Sequence, residues 1–134
     1  MGGPRFVMQD LPVLLSGAVV GVILFQTAVI APVVFTVIPQ PHSATFLRRI
    51  FPRFFLLIAL LGLLGNGVSV LLGESAQVAL TGATVLLALI AYGLIPATNK
   101  SRDDGDDRRF KQLHTASVLL TLVVLGLNLS ALAA

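Results

Sequence analysis

The sequence predicts an all-α fold, an integral membrane antiparallel four-helix bundle with a short interfacial helix between helices 1 and 2. Four apolar runs without a charged side chain fill most of the 134 residues: 11–37, 54–73, 75–97 and 115–134. Because roughly 20 helical residues cross a hydrocarbon core about 30 Å thick, each run is long enough to span it. Hydrophobic residues make up 56% of the chain and charged residues 11%, whereas soluble domains carry about 25% charged residues.

A single domain is expected, with spans at about 11–37, 52–73, 76–97 and 112–133. The connection after the first span contains prolines and is predicted to include a short helix. Pro32 is expected to kink the end of that span, and Pro39 and Pro41 to end it. Ser43 then caps a predicted short helix over residues 44–51, in which apolar side chains share one side and arginines take another. That pattern is typical of a helix in the headgroup layer, and an ordinary basic loop is the alternative.

Glycine and acidic residues mark the other two connections. The tripeptide Gly73-Glu74-Ser75 leaves room for only a turn, so the second and third helices are expected to be antiparallel neighbours. A charged loop over residues 98–111 is expected before the fourth helix. That helix is predicted to begin near Asp106 or Asp107, because carboxylates stabilise a helix N-terminus.

Basic residues concentrate in two of the three connections. They are Arg48, Arg49, Arg53, Lys100, Arg102, Arg108, Arg109 and Lys111, whereas the opposite side carries Arg5. The positive-inside rule therefore predicts that both connections face the cytoplasm and that both termini lie outside. Because these cations lie in short loops, we expect them to set orientation and meet lipid headgroups, and we predict no nucleic-acid partner. The chain has no cysteine, which excludes disulfides and thiolate metal sites.

Small and polar residues fall on one face of each of the last three spans. These faces are expected to point inward, because lipid satisfies no hydrogen bonds. The residues expected to pack these helices together are Gly62, Gly65, Asn66 and Asn128. The two asparagines lie at similar depths, so a hydrogen bond between them is expected.

The first span carries small or polar residues on two faces. Gly17 and Gly21 form a small-residue packing motif, while Gln26 lies on the opposite face. One of these faces would meet lipid in a monomer, so we predict a homo-oligomer packed through this helix. The alternative is that Gln26 bonds its own backbone or reaches the interface.

Catalytic motifs are missing, and no Asp, Glu, Lys or Arg lies within any of the four apolar runs. A proton-driven transporter is therefore disfavoured, and a non-enzymatic protein is favoured over an enzyme. No cofactor is predicted. The competing interpretation is a haem- or metal-binding redox protein that uses His42 and His114, the two imidazoles of the chain. The simpler alternative is that each histidine bonds water and backbone at the interface.

Three local patterns and the four-helix layout resemble the transmembrane-protein-205-like family, also known as domain of unknown function 4149. The patterns are Ala31-Pro32-Val33-Val34-Phe35, Phe51-Pro52-Arg53-Phe54-Phe55, and the run from Phe110 to Val118 that contains Lys111-Gln112-Leu113-His114. The resemblance implies a multi-pass protein of the bacterial inner membrane. It implies little about mechanism, although a link of animal relatives to drug resistance suggests transport or trafficking.

Together these observations predict a protein that binds or transports a small or lipid-like molecule, or that holds a partner, through a polar cluster near the cytoplasmic face. The ligand itself is not predicted. The residues expected to bind it are Pro32, Phe35 and Arg53 from the family-like patterns, with Tyr92, Asn99, His114 and Ser117 from the inward faces.

Overall fold

The computed structural model describes residues 7–133, which are almost entirely helical. The helices are α1 (Leu11–Leu24), α2 (Ala31–Val37), α3 (His42–Leu72), α4 (Ser75–Asp103) and α5 (Asp107–Ala133). A 3-10 turn, Met8–Asp10, precedes α1, and a π-helical segment, Phe25–Ile30, joins α1 to α2. Met8–Val37 therefore forms one continuous span. With α3, α4 and α5 it gives four helices in this part of the chain that are long and apolar enough to cross a membrane, which confirms the predicted fold class.

The four spans pack in a ring, in the order α1, α3, α4, α5 and back to α1. Because consecutive spans reverse direction, every neighbouring pair in the ring is antiparallel. The core includes Val19, Ile23, Phe54, Phe55, Ile58, Ala88, Ala91 and Val124. Leucines cover the outer surface, among them Leu56, Leu60, Leu63, Leu71, Leu86, Leu119 and Leu122. Exposed leucine is stable in contact with acyl chains, so this surface fits a bilayer.

Two glycines in the left-handed conformation close the turns at opposite ends of the bundle. Gly73 has φ +70° and Gly105 has φ +71°, a region that side chains disfavour. After Gly73, the amide of Glu74 donates to the carbonyl of Ser69 at 3.0 Å, which is the Schellman pattern. After Gly105, the amide of Asp106 donates to the carbonyl of Ser101 at 2.9 Å. The predicted start of the fourth helix is confirmed, since α5 begins at Asp107.

The predicted short helix over residues 44–51 is not a separate element. It forms the first turns of α3, which runs through Pro52 without a break. Ser43 lies inside the helix and is buried, so it is not the N-cap. A proline within a helix frees one backbone carbonyl and need not end the helix where other contacts hold it. Here Arg48 forms an ion pair with Asp103 of α4.

The loop between the last two spans is also shorter than predicted. Helix α4 continues to Asp103 instead of ending near residue 97, and α5 follows after a turn. The first charged residues that follow the third apolar run therefore lie on the last turns of α4, which extend beyond the hydrocarbon core. Arg48 ties the first turns of α3 to this extension: its Nη1 donates to Oδ2 of Asp103 at 3.2 Å and its Nη2 to the carbonyl of Asn99 at 3.5 Å.

The distortion of the first span precedes Pro32. The amide of Ala31 donates to the carbonyl of Gln26, a step of five residues that widens the helix over Phe25–Ile30. Pro32 lacks an amide hydrogen, and its ring crowds the carbonyl four residues earlier. A wider turn before the proline relieves that clash, and the helix then continues to Val37.

Glycines on α3 allow close packing against α4. A Cβ at Gly62 would lie 3.0 Å from the methyl groups of Thr84 and Val85, and one at Gly65 would lie 3.2 Å from that of Thr81. The expected hydrogen bond between Asn66 and Asn128 is not formed. The side-chain amide of each asparagine instead donates a hydrogen bond to a threonine hydroxyl of α4.

Each asparagine bridges from its own helix to α4. Nδ2 of Asn66 donates to Oγ1 of Thr81 at 3.2 Å and to the carbonyl of Val78 at 3.0 Å. Nδ2 of Asn128 donates to Oγ1 of Thr84 at 3.0 Å. These bonds satisfy polar groups that lipid would leave unpaired.

Candidate functional site: a lateral groove between the first span and α3

An open groove of about 500 Å³ separates the first span from α3. Ten residues line it: Ala18, Gly21, Val22, Phe25, Gln26, Ile30, Ile50, Arg53, Phe54 and Leu57. Its volume falls within the range of about 300–1,000 Å³ that is usual for ligand sites. Most of its walls are apolar, and two polar residues, Gln26 of the first span and Arg53 of α3, are part of its lining.

Glycine creates part of the space. Gly21 is exposed, and a Cβ placed there would meet no atom within 4 Å. One turn earlier Gly17 is covered by α5, since a Cβ there would lie 3.8 Å from a methyl group of Leu132. The two glycines of the predicted motif therefore differ: Gly17 lies against a helix of the same chain, and Gly21 lines the groove.

Gln26 is the buried polar residue of the groove. Its side chain is 4% exposed, and its Nε2 has no hydrogen-bond partner. A buried, unpaired amide hydrogen costs about 1–3 kcal/mol. The π-helical segment contains this residue, and such segments are frequent at functional sites because they reorient side chains. Rotation about the broad terminal torsion of glutamine can turn the nitrogen toward an acceptor in the groove.

Arg53 supplies the positive charge. Its Nη1 donates to the carbonyl of Arg49 at 2.6 Å, and the side chain is exposed. That bond turns the guanidinium toward the basic end of α3. Within residues 7–133 the ion pairs are Arg48–Asp103 and Lys100–Asp104, so Arg53 has no carboxylate partner there. A guanidinium carries five N–H donors, and most of those of Arg53 are free to bind an anion.

The structure does not bring the seven predicted ligand-binding residues into one pocket. Arg53 alone among them lines the groove. Pro32 and Phe35 are exposed on α2, with Phe35 at 65%. Asn99 is partly buried and offers its carbonyl to Arg48, and Ser117 is partly buried on α5. The predicted polar cluster is thus dispersed, and its role in binding stays a prediction.

Tyr92 lies on the wrong face for an inward residue. Its side chain is 39% exposed, whereas Thr84, Ala88 and Ala91 are buried. A helix turns once every 3.6 residues, so the buried stripe steps from Ala88 to Ala91. Two successive steps of four residues, from Thr84 through Ala88, overshoot this repeat and place Tyr92 outside.

Both histidines are exposed. His42 begins α3, and His114 on α5 stacks on Phe110 with ring centroids 5.8 Å apart. Among residues 7–133 no group of three or more His, Asp or Glu is placed to hold a metal ion. The haem or metal interpretation stays a prediction, and the visible spectrum of the purified protein tests it.

Sequence reasoning missed the groove and most of its residues. Gln26 was the one available signal, since an amide within an apolar span needs a partner. Ala18, Phe25 and Ile50 are ordinary apolar residues in the sequence. They become site residues only through the gap between two helices, which no single-helix pattern reveals.

Comparison with known families gives one match. The family described as "Domain of unknown function (DUF4149)" matches residues 14–107, which is more than half of the chain. No curated protein and no solved structure matches the chain. The matched residues include most of the first span and all of α3 and α4, and every residue that lines the groove lies among them. The chain belongs to the DUF4149 family.

Proposed function

We propose that this protein binds a lipid-like molecule in the groove between the first span and α3. The observation that carries the proposal is a groove of about 500 Å³ whose apolar walls hold one buried, unpaired amide, that of Gln26. Apolar walls with a few placed polar groups are typical of ligand sites. An acyl chain matches the walls, and an acceptor on the same molecule satisfies the amide.

The position of the groove favours a ligand that arrives through the membrane. Phe25 and Leu57 line it and are 57% and 43% exposed on the outer surface of the bundle. In a bilayer that surface faces acyl chains. A lipid can therefore enter sideways from its own leaflet without crossing the core.

Filling the groove is expected to remove bound lipid. In Gly21→Leu, the new side chain projects into the space beside Ala18 and Phe54, while a Cβ at Gly21 meets no neighbour, so the bundle keeps its fold. We expect lipid retention to fall about tenfold, since displacing about two methylene groups of an acyl chain removes about 1.6 kcal/mol of apolar contact. Native mass spectrometry of protein purified in mild detergent measures the lipid-bound fraction.

The matched control is Gly126→Leu on α5, where a Cβ also meets no atom within 4 Å. It is expected to retain lipid as the unchanged protein does. The same spectra test the predicted homo-oligomer through the first helix. If Gly21→Leu converts an oligomer to a monomer and leaves lipid binding unchanged, a second copy covers this face and the groove is not a lipid site.

We further propose that the protein lies in the bacterial inner membrane with both termini outside. The antiparallel ring puts the connection after α2 and the turn between α4 and α5 at one end, and eight of the nine basic residues belong to that end. Positive loops stay in the cytoplasm. A reporter fused to either terminus is expected to be active outside the cytoplasm, and cytoplasmic activity at either end would reverse the assignment.

A further inference from the structure

We infer that the groove selects a phospholipid with a net negative headgroup, with the phosphate at Arg53 and an ester carbonyl at Gln26. This inference rests on the proposed function and adds the chemical class of the ligand. The two polar side chains of the groove and the charge around them support it.

The charge at the groove is positive and unbalanced. Arg53 lines it, and the carbonyl of Arg49, one turn away, holds its guanidinium. Neither arginine takes part in an ion pair within residues 7–133, and none of the ten lining residues is acidic. A zwitterionic headgroup would leave its own cation without a partner there, whereas an anionic headgroup meets only positive charge.

The second polar group distinguishes a phospholipid from a fatty acid. Gln26 is buried on the opposite wall, and its Nε2 lacks an acceptor. A fatty acid has one polar end, so a carboxylate at Arg53 leaves the amide unpaired. A phospholipid carries ester carbonyls below its phosphate, and one of them can accept from Gln26 while the phosphate stays at the exposed guanidinium.

The test compares two phospholipids with identical acyl chains, phosphatidylglycerol and phosphatidylcholine, titrated into delipidated full-length protein and followed by native mass spectrometry. We expect phosphatidylglycerol to bind about fivefold more tightly or better. Arg53→Gln is expected to remove that preference, because it weakens phosphatidylglycerol binding more than binding of phosphatidylcholine, whose own cation already offsets its phosphate. Arg108→Gln, which removes an exposed charge at the start of α5, is the charge-matched control and is expected to keep the preference.

A second variant tests the carbonyl contact. In Gln26→Leu the leucine side chain is similar in volume to the glutamine it replaces, and the unpaired buried amide is removed, so the variant is expected to fold. It is expected to weaken binding of diester phosphatidylglycerol about threefold and to leave the diether analogue, which lacks the carbonyls, unchanged.

The outcomes separate the two proposals. Equal binding of both headgroups, or an equal loss of both in Arg53→Gln, overturns the headgroup assignment even where Gly21→Leu shows that the groove binds lipid. If Gln26→Leu weakens the diester and diether lipids equally, the carbonyl contact is wrong. If the unchanged protein binds neither phospholipid, the proposed function, lipid binding in the groove, is wrong.

Discussion

Replacing Gly62 with leucine is expected to destabilise the bundle by about 1–3 kcal/mol, because overpacking forces a shift of neighbouring atoms. A Cβ at Gly62 would already lie 3.0 Å from the methyl groups of Thr84 and Val85 on α4. The rest of a leucine side chain has no space between α3 and α4. Unfolding in detergent with increasing denaturant, followed by helical circular dichroism, measures the change in the free energy of unfolding.

Gly67→Leu is the matched control on the same helix. A Cβ there meets no atom within 4 Å, and the residue is exposed. Leucine has a higher helix propensity than glycine, so this variant is expected to be neutral or slightly stabilising. If both variants unfold at the same denaturant concentration, α3 and α4 do not pack as closely as described.

Thr84→Val is expected to destabilise the bundle by about 1 kcal/mol, because it removes the acceptor of a buried hydrogen bond between α4 and α5. Oγ1 of Thr84 accepts from Nδ2 of Asn128 at 3.0 Å, and both side chains are 1% exposed or less. In the variant, the side-chain amide of Asn128 keeps one acceptor, the carbonyl of Val124, which lies 2.9 Å from its Nδ2. Such bonds between membrane helices are worth about 0.6 kcal/mol on average and about 1.7 at most.

A double-mutant cycle with Asn128→Leu isolates this bond. In the Asn128→Leu background, Thr84→Val is expected to change the free energy of unfolding little, because the donor is already gone. Thr121→Val on α5 is the control, since its hydroxyl donates to the carbonyl of Ser117 within the same helix. Additive losses in the cycle would mean that the bond contributes nothing.

Hydropathy and turn chemistry predicted the four spans, their antiparallel order and the start of α5. These features follow from local sequence: a charge-free run of sufficient length, a glycine in a left-handed turn, and an aspartate at a helix start. The helix ends were less accurate. Charge marks where the hydrocarbon ends, but helices α3 and α4 continue beyond it and are joined by the pair of Arg48 and Asp103.

The site was less predictable than the fold for two physical reasons. The predicted inward face of α4 continued from Thr84 and Ala88 to Tyr92. Two successive steps of four residues rotate about 80° around a helix that repeats at 3.6, so Ala91 is buried there instead. The π-helical segment also changes the register of the first span, and it contains Gln26, which is buried and lines the groove beside α3. The groove is a property of two helices and the gap between them, so it appears only in three dimensions.

The groove between the first span and α3 is the proposed lipid site. A crystal structure of the protein grown in a lipidic mesophase containing phosphatidylglycerol tests it most directly. We expect elongated density along Gly21 and Phe54, with its polar end at Arg53 and an acceptor within hydrogen-bond distance of Gln26. A groove closed by its own side chains, or filled by the first span of a second copy, would contradict it.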